Sequence, residues 1–368
     1  MKNSTLFLMV STLLTIPASL LARTPEERID EMEQRLKTLE QQEPTRHHLD
    51  IEPLEAPDEE KALEESLLDR FVFNGVIEVE AQQISPDEGD NSSDLYLPTL
   101  ELGVAAQVND WTSAEIVLLY EDDGTHSGDF AVDSGVIRIA DPQASWYMEA
   151  GQYGLPFGDF STHMISDPLT LDAAETYDVA LEAGYEFSGA RFALYVFKGD
   201  QQDEISNGGL YLGYSLEHDD LAFTTSFGWI NDLSESDSVV DEGSAALNKA
   251  PAWTLFAQLD WRAFSLIGEY LAAREALDVY NTQDKPAFYN LEAAYHFELV
   301  DRPVTLAVGW QGSNEARYYA DGMDEKRALA AFSLELADSL NVALEVARKE
   351  DYDGARERII TAQLAVGF

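Results

Sequence analysis

From Arg70 to the C-terminus, apolar and polar residues alternate with a period of two in segments of about ten residues. Phe71, Phe73, Ile77, Val79 and Ala81 alternate with Asn74, Glu78, Glu80 and Gln82. Leu100, Leu102, Val104, Ala106 and Val108 then face away from Thr99, Glu101, Gly103 and Gln107, and Ala114, Ile116, Leu118 and Tyr120 face away from Ser113, Glu115 and Glu121. Segments 179–187, 221–229, 253–261, 289–297 and 340–346 repeat the pattern, and the last one runs Ile360, Ala362, Leu364, Val366, Phe368. Successive side chains of a strand point to opposite faces, so each segment is a strand with one apolar and one polar face. Many such strands in series are the mark of a transmembrane β-barrel. The segments near Val136 and Phe192 carry the pattern least cleanly.

Connections alternate too. Short ones fall at Asn109-Asp110, Asp141-Pro142, Ser188-Gly189, 218–220, Arg262, 300–303 and Asp338-Ser339. Longer polar loops fall at 85–94, 122–130, 154–176, 199–207, 231–250, 274–286, 312–325 and 349–354. Seven short turns and eight long loops join about 16 strands, which predicts an all-β, antiparallel, up-and-down transmembrane barrel over 70–368 with both ends on the short-turn side. A secreted sandwich would not require this regular alternation. Trp111, Trp146, Trp229, Trp253, Trp261 and Trp310 fall near strand ends, where girdle residues belong. The closing strand, ending on Phe368, resembles that of bacterial outer-membrane barrels. That resemblance makes Phe368 an assembly signal read by the barrel-assembly machinery.

Upstream the pattern differs. Residues 1–22 combine Lys2, an apolar run and small residues near Ala22, as a secretory signal peptide does. In 23–42, Ile29, Met32, Leu36 and Leu39 form a two-heptad seam, predicting a short amphipathic or coiled-coil helix. Residues 43–69 read as an acidic, proline-containing linker with a short helix, and His47 and His48 sit there as solvated residues. This order places the barrel in the outer membrane and the N-terminal arm in the periplasm.

Composition narrows the function. The chain has no cysteine, which excludes a thiolate metal site or a lipid-anchored cysteine. Its net charge is -46, and without the signal 22 basic residues stand against 69 acidic ones. Nucleic acid and anionic lipid surfaces are excluded as partners, while lipopolysaccharide, bridged by cations, is retained.

Many acids fall on the lumen face: Glu78, Glu80, Glu101, Glu115, Glu149, Glu182, Glu269, Glu292, Glu335, Glu345 and Glu357, with few cations such as Arg138. A barrel of this size holds an aqueous lumen, and a wall of one sign enriches counter-ions, so cation preference is expected.

The acidic stretches 87–94 and 122–129 have oxygen ligands suited to Ca2+ but no complete EF-hand spacing. His126 and His163 lack diagnostic nucleophile spacing, so neither a catalytic residue nor a metal ligand is assigned and no enzyme is expected.

The most distinctive stretch is 151–175, GQYGLPFGDFSTHMISDPLTLDAAE. A loop this apolar is expected to fold back into the mouth or lumen rather than stand in water. Its candidate constriction or ligand residues are Tyr153, Pro156, Phe157, Asp159, Phe160, His163, Met164, Asp167, Pro168, Asp172 and Glu175. The steps QYGLPFG and HMISDPLTL resemble those of the LbtU-type siderophore porins of Gram-negative bacteria, and the likeness extends over the signal, the heptad arm, the FNGVIEVE strand and the terminal Phe. It implies a sixteen-strand outer-membrane barrel that takes up a ferric siderophore without a plug domain. No resident cofactor is expected, and a homo-oligomer is a candidate assembly. A general cation-preferring diffusion porin and a structural or adhesive outer-membrane protein are the alternatives.

Overall fold

The computed structural model describes residues 70–122, 130–201, 204–241, 248–279, 282–320 and 322–368. The expected signal, arm and linker, and most of the acidic loop with His126, lie outside the described residues.

Sixteen antiparallel staves form one closed sheet. They are β1 (Phe71–Pro86), β2 (in two pieces, Ser92–Tyr96 and Thr99–Asn109), β3 (Thr112–Glu121), β4 (Phe130–Ala140), β5 (Trp146–Gly154) and β6 (Tyr177–Phe187). β7 (Ala190–Phe197), β8 (Asn207–His218), β9 (Leu221–Ile230), β10 (Ala252–Trp261) and β11 (Phe264–Ala273) follow. The last five are β12 (Ala287–Leu299), β13 (Arg302–Asn314), β14 (Lys326–Ala337), β15 (Leu340–Glu350) and β16 (Arg356–Gly367). Each pairs with its neighbour in sequence, and β16 closes on β1 in register from Val76 opposite Gly367 to Pro86 opposite Glu357.

The alternation has the physical origin the sequence implies. Leu102, Ile116, Leu181, Leu194, Leu255, Leu266, Leu291, Val308 and Leu344 are exposed on the outer wall, while their polar neighbours Glu182, Glu292 and Glu345 are buried inside. An apolar surface of that extent around a whole sheet fits hydrocarbon rather than water. Trp253 and Trp261 lie on the outward face of β10 eight residues apart, about 27 Å of strand at ~3.4 Å per residue. This matches an apolar belt of ~25 Å. Trp111 and Trp146 meet at 6.1 Å, and the Trp310 indole donates to the Tyr289 hydroxyl at 3.1 Å. Among the described residues no helix is long and apolar enough to cross a membrane.

Two expectations are corrected. The first loop, read as 85–94, shrinks to 87–91, because β1 continues to Pro86 against β16 and the chain returns at Ser92 to pair with Ile84. Ladder partners on both sides hold residues whose composition is that of a loop. β2 then breaks at Pro98, which has no N–H to give. The second correction concerns the long loops, which carry structure of their own: α1 (Leu169–Ala174), a 3-10 turn (Leu233–Glu235), α2 (Asp237–Asp241) and a small hairpin of Leu277–Val279 with Thr282–Asp284. The weak pattern near Val136 has a cause as well. The β3–β4 register shifts between Val117 and Leu118, and Gly151 on β5 sits at φ +152° with its Cα so close to β4 that a Cβ would lie 2.0 Å from the Gly135 carbonyl.

Candidate functional site

The loop between β5 and β6, residues 155–176, crosses the interior of the barrel, and most of it is buried. It pairs with no strand, so its amides need other acceptors. Three lumen glutamates supply them. Glu269 on β11 accepts from Asp159 N (3.0 Å) and Phe160 N (3.3 Å) through one oxygen and from the Thr170 hydroxyl (2.7 Å) through the other. Glu292 on β12 accepts from Thr162 Oγ1 and His163 N, both at 2.7 Å. Glu345 on β15 accepts from Ile165 N (2.6 Å), Ser166 N (3.2 Å) and the Ser166 hydroxyl (2.7 Å). Phe160 has φ 52°, a left-handed backbone costly for a bulky residue, and Glu269 holds the amides on that turn.

Polar and basic groups complete the docking. The Thr254 hydroxyl donates to the Phe157 carbonyl, the Ser226 and Tyr211 hydroxyls donate to Asp159, and Leu169 N donates to Gln311. His163 Nε2 bonds Ser265 Oγ at 2.9 Å, and its ring lies 5.5 Å from that of His296. Pro168 stands at the N-cap of α1 and Glu175 at its C-cap. Arg327 on β14 reaches Asp172 (2.9 Å), Asp324 (2.6 Å) and the Asp167 carbonyl (3.2 Å). Burial, with Asp172 adding, pushes the Asp167 carboxyl well above the usual carboxylate range. Burial, with Asp237 adding, does the same to Glu175.

Apolar packing follows the polar anchors. Met164 packs with Ala294, Ala307, Leu329 and Ala347. Leu155, Phe157, Ala173 and Ala174 join a second cluster with Phe197, Leu233, Val239, Leu271, Phe288 and Tyr319, drawn from the wall and from two other long loops. Tyr319 donates to the Ala173 carbonyl at 2.5 Å and meets Ser236 Oγ at 3.0 Å. Sequence reasoning missed Ser226, Thr254, Tyr319 and Arg327. Only Arg327, a rare cation on a lumen face, carried a signal that could have been read.

The lumen acids therefore divide. Glu269, Glu292 and Glu345, expected as lining, are taken up by the loop. Glu80 accepts from Tyr96 (2.7 Å) and Gln363 (2.8 Å), and Glu78 is buried beside it on β1. On the wall from β4 to β8, Glu149 pairs with Arg138, and Glu182 accepts from Tyr147 (2.5 Å) and Arg191 (2.8 Å). Arg138 lies 4.0 Å over the Tyr147 ring, and Arg191 lies 5.3 Å over that of Tyr211. Glu101, Glu115, Glu335 and Glu357 sit at inward positions of β2, β3, β14 and β16 and make no ion pair among the described residues.

Between the loop and the β5–β8 wall lies a cavity of about 280 Å³, lined by Glu149, Tyr153, Asp159, Phe160, Glu175, Glu182, Arg191 and Tyr211 among others. Of the described residues, no group of three or more His, Asp or Glu is arranged to hold a metal ion, the acids of 87–91 included.

Solved structures share this sheet and its closure. OprB of Pseudomonas putida superposes with a TM-score of 0.62 at 9% identity, over 84% of this chain and 97% of its own. The fold is that of a sixteen-stranded porin barrel. The outer membrane channel DcaP of Acinetobacter baumannii (TM-score 0.56, 12% identity, 81% and 97% covered) and an anion-selective porin of Comamonas acidovorans (0.55, 13%, 81% and 99%) have the same fold. No protein-family model matches the chain. A UPF0422 protein of Coxiella burnetii is 22% identical over 303 residues, 77% of this porin barrel chain and 65% of the relative. The UPF0422 protein lpg2959 of Legionella pneumophila is 24% identical over 292 residues, 70% of this chain and 55% of the relative. The chain thus spans between about half and two thirds of the length of the curated relatives it matches.

Proposed function

We propose that the protein is an outer-membrane channel for passive diffusion that prefers cations, with its loop 155–176 as the constriction and its chain ends toward the periplasm. The observation that carries this reading is the division of the lumen acids. Glu115 is exposed and Glu101 half-buried on the wall the loop leaves uncovered, and neither is neutralised by an ion pair among the described residues. Carboxylates on a low-dielectric wall attract cations and repel anions along the whole passage. Reconstitution into planar bilayers tests the channel itself. Stepwise current increments are expected, and a protein that inserts as a folded barrel without conducting overturns the proposal.

A narrower reading, uptake of a ferric siderophore, rests on the likeness of the QYGLPFG and HMISDPLTL steps to the LbtU-type porins. The acidic wall supports it only for complexes whose net charge is zero or positive, since a polyanionic complex meets the same repulsion as any anion. Uptake of labelled ferric siderophore into iron-starved cells, compared between the native protein and a deletion of residues 160–173, separates this reading from general diffusion. The deletion should abolish selective uptake while small ions still pass. Equal siderophore uptake with and without the loop removes the narrower reading.

A further inference from the structure

The charge of the whole chain, -46, argues against anionic surfaces, so an anion site on this barrel has to be a local exception. The outer wall holds one. At the long-loop ends of β9 to β13 the outward positions carry aromatic girdle residues: Trp229 opposite Trp253, Tyr270 opposite Tyr289, and Trp310 bonded to Tyr289. On β14, β15 and β16 the same end carries Lys326, Arg348, Arg356 and Arg358 instead. All four alternate with the buried, inward Arg327, Ala347 and Ile359. Toward the short-turn end the outward residues turn apolar at once, with Val346 and Leu344 on β15 and Ile360, Ala362 and Leu364 on β16. An outward arginine is costly at the bilayer midplane and nearly free at the interface. These arginines thus mark the border of the hydrocarbon band, at the depth of lipid headgroups.

Two of the four cations are held within the protein: Arg356 bonds Glu350 (2.8 Å) and Lys326 bonds Glu325 (2.7 Å). The other two, Arg348 and Arg358, are exposed and sit directly opposite each other in the β15–β16 ladder, where like charges destabilise the pair. Arg348 approaches Asp87 at 3.9 Å, beyond hydrogen-bond length. Arg358 makes no ion pair or side-chain hydrogen bond among the described residues. Ser85 on β1 lies opposite Arg358 and adds a hydroxyl to the same face. Two guanidinium forks therefore stand side by side with donors to spare. A phosphate accepts bidentate hydrogen bonds from such forks, and its charge offsets their mutual repulsion. The apolar strip next to them gives no purchase to a dissolved anion but suits acyl chains.

We propose that Arg348 and Arg358 bind a phosphate of lipopolysaccharide, the phosphorylated glycolipid of the outer leaflet, directly and without a bridging cation. The acyl chains then lie along Leu344, Val346, Ile360 and Leu364. The proposal rests on the orientation given under the proposed function, with the long loops outward, and is independent of conduction.

Native mass spectrometry of the detergent-solubilised, folded full-length barrel with bisphosphorylated lipid A in the presence of EDTA is the test, with dephosphorylated lipid A and phosphatidylglycerol as comparison lipids. Saturable binding of lipid A is expected, weakened about tenfold by the double variant Arg348→Gln and Arg358→Gln, which removes the charge-assisted bonds. Arg302→Gln, an exposed cation at a short turn on the opposite rim, should change it less than about twofold. Heat-modified migration in dodecyl sulfate shows that each variant is a folded barrel. Equal binding by the native protein and the double variant, equal binding of dephosphorylated lipid A, loss of native binding in EDTA, or stronger binding of phosphatidylglycerol each overturns the proposal. A barrel that holds lipid A through these arginines but conducts no ions leaves the lipid site standing and removes the channel.

Discussion

Glu345 shows how one residue type takes two unrelated roles on the same wall. Its carboxylate accepts from two successive loop amides and one hydroxyl, and those amides have no alternative acceptor in a buried position. Replacing it with alanine strands them at about 1–3 kcal/mol each. In Glu345→Ala, the amides of Ile165 and Ser166 should exchange hydrogen at least about tenfold faster, while those of β15 itself keep their protection; unchanged loop protection would show that the anchor is elsewhere. Glu115→Gln touches nothing in the loop and should leave this exchange as it is, but it should lower cation preference. In the sequence the two residues are indistinguishable, each a Glu on the polar face of an alternating strand. Their difference lies in partners far along the chain, which alternation does not encode.

Among the elements, the staves were legible and the docking of the loops was not. A strand between hydrocarbon and an aqueous lumen must alternate, so local pattern is sufficient. A loop that folds inward is recognised by its apolar content, as residues 155–176 were, but not by where it lands. The Arg327 clasp on Asp172, Asp324 and the Asp167 carbonyl holds the α1 end of this loop. Arg327→Ala leaves two half-buried acids unpaired, a change that costs up to about 3–5 kcal/mol where the pair is fully buried. Proteinase K should then cut within 155–176 in folded barrels of the variant and spare the native protein. The seam is a second element-level device. Gly75 and Phe368 exchange backbone hydrogen bonds of 2.9 and 3.0 Å, and the Phe368 ring occupies the space a Cβ at Gly75 would need. Gly75→Val should displace that ring and lower the fraction of barrel that resists unfolding in cold dodecyl sulfate. A full native fraction would argue that closure does not depend on the contact.

At the scale of the molecule, sixteen staves make a lumen wider than side chains can fill, and the loops set how much of it stays open. The loop 155–176 and the mouth cluster around Tyr319 occupy the side of β6 to β15. What remains is bounded by β16 and β1 to β4, where acids outnumber cations. On the proposed reading, this remaining wall, rather than the total charge of the chain, sets selectivity. This is tested most directly by the zero-current potential of the reconstituted protein under a tenfold KCl gradient. A potential with the dilute side positive, which holds back K+ that crosses ahead of Cl-, is expected. A potential near zero, or one of the opposite sign, would contradict it.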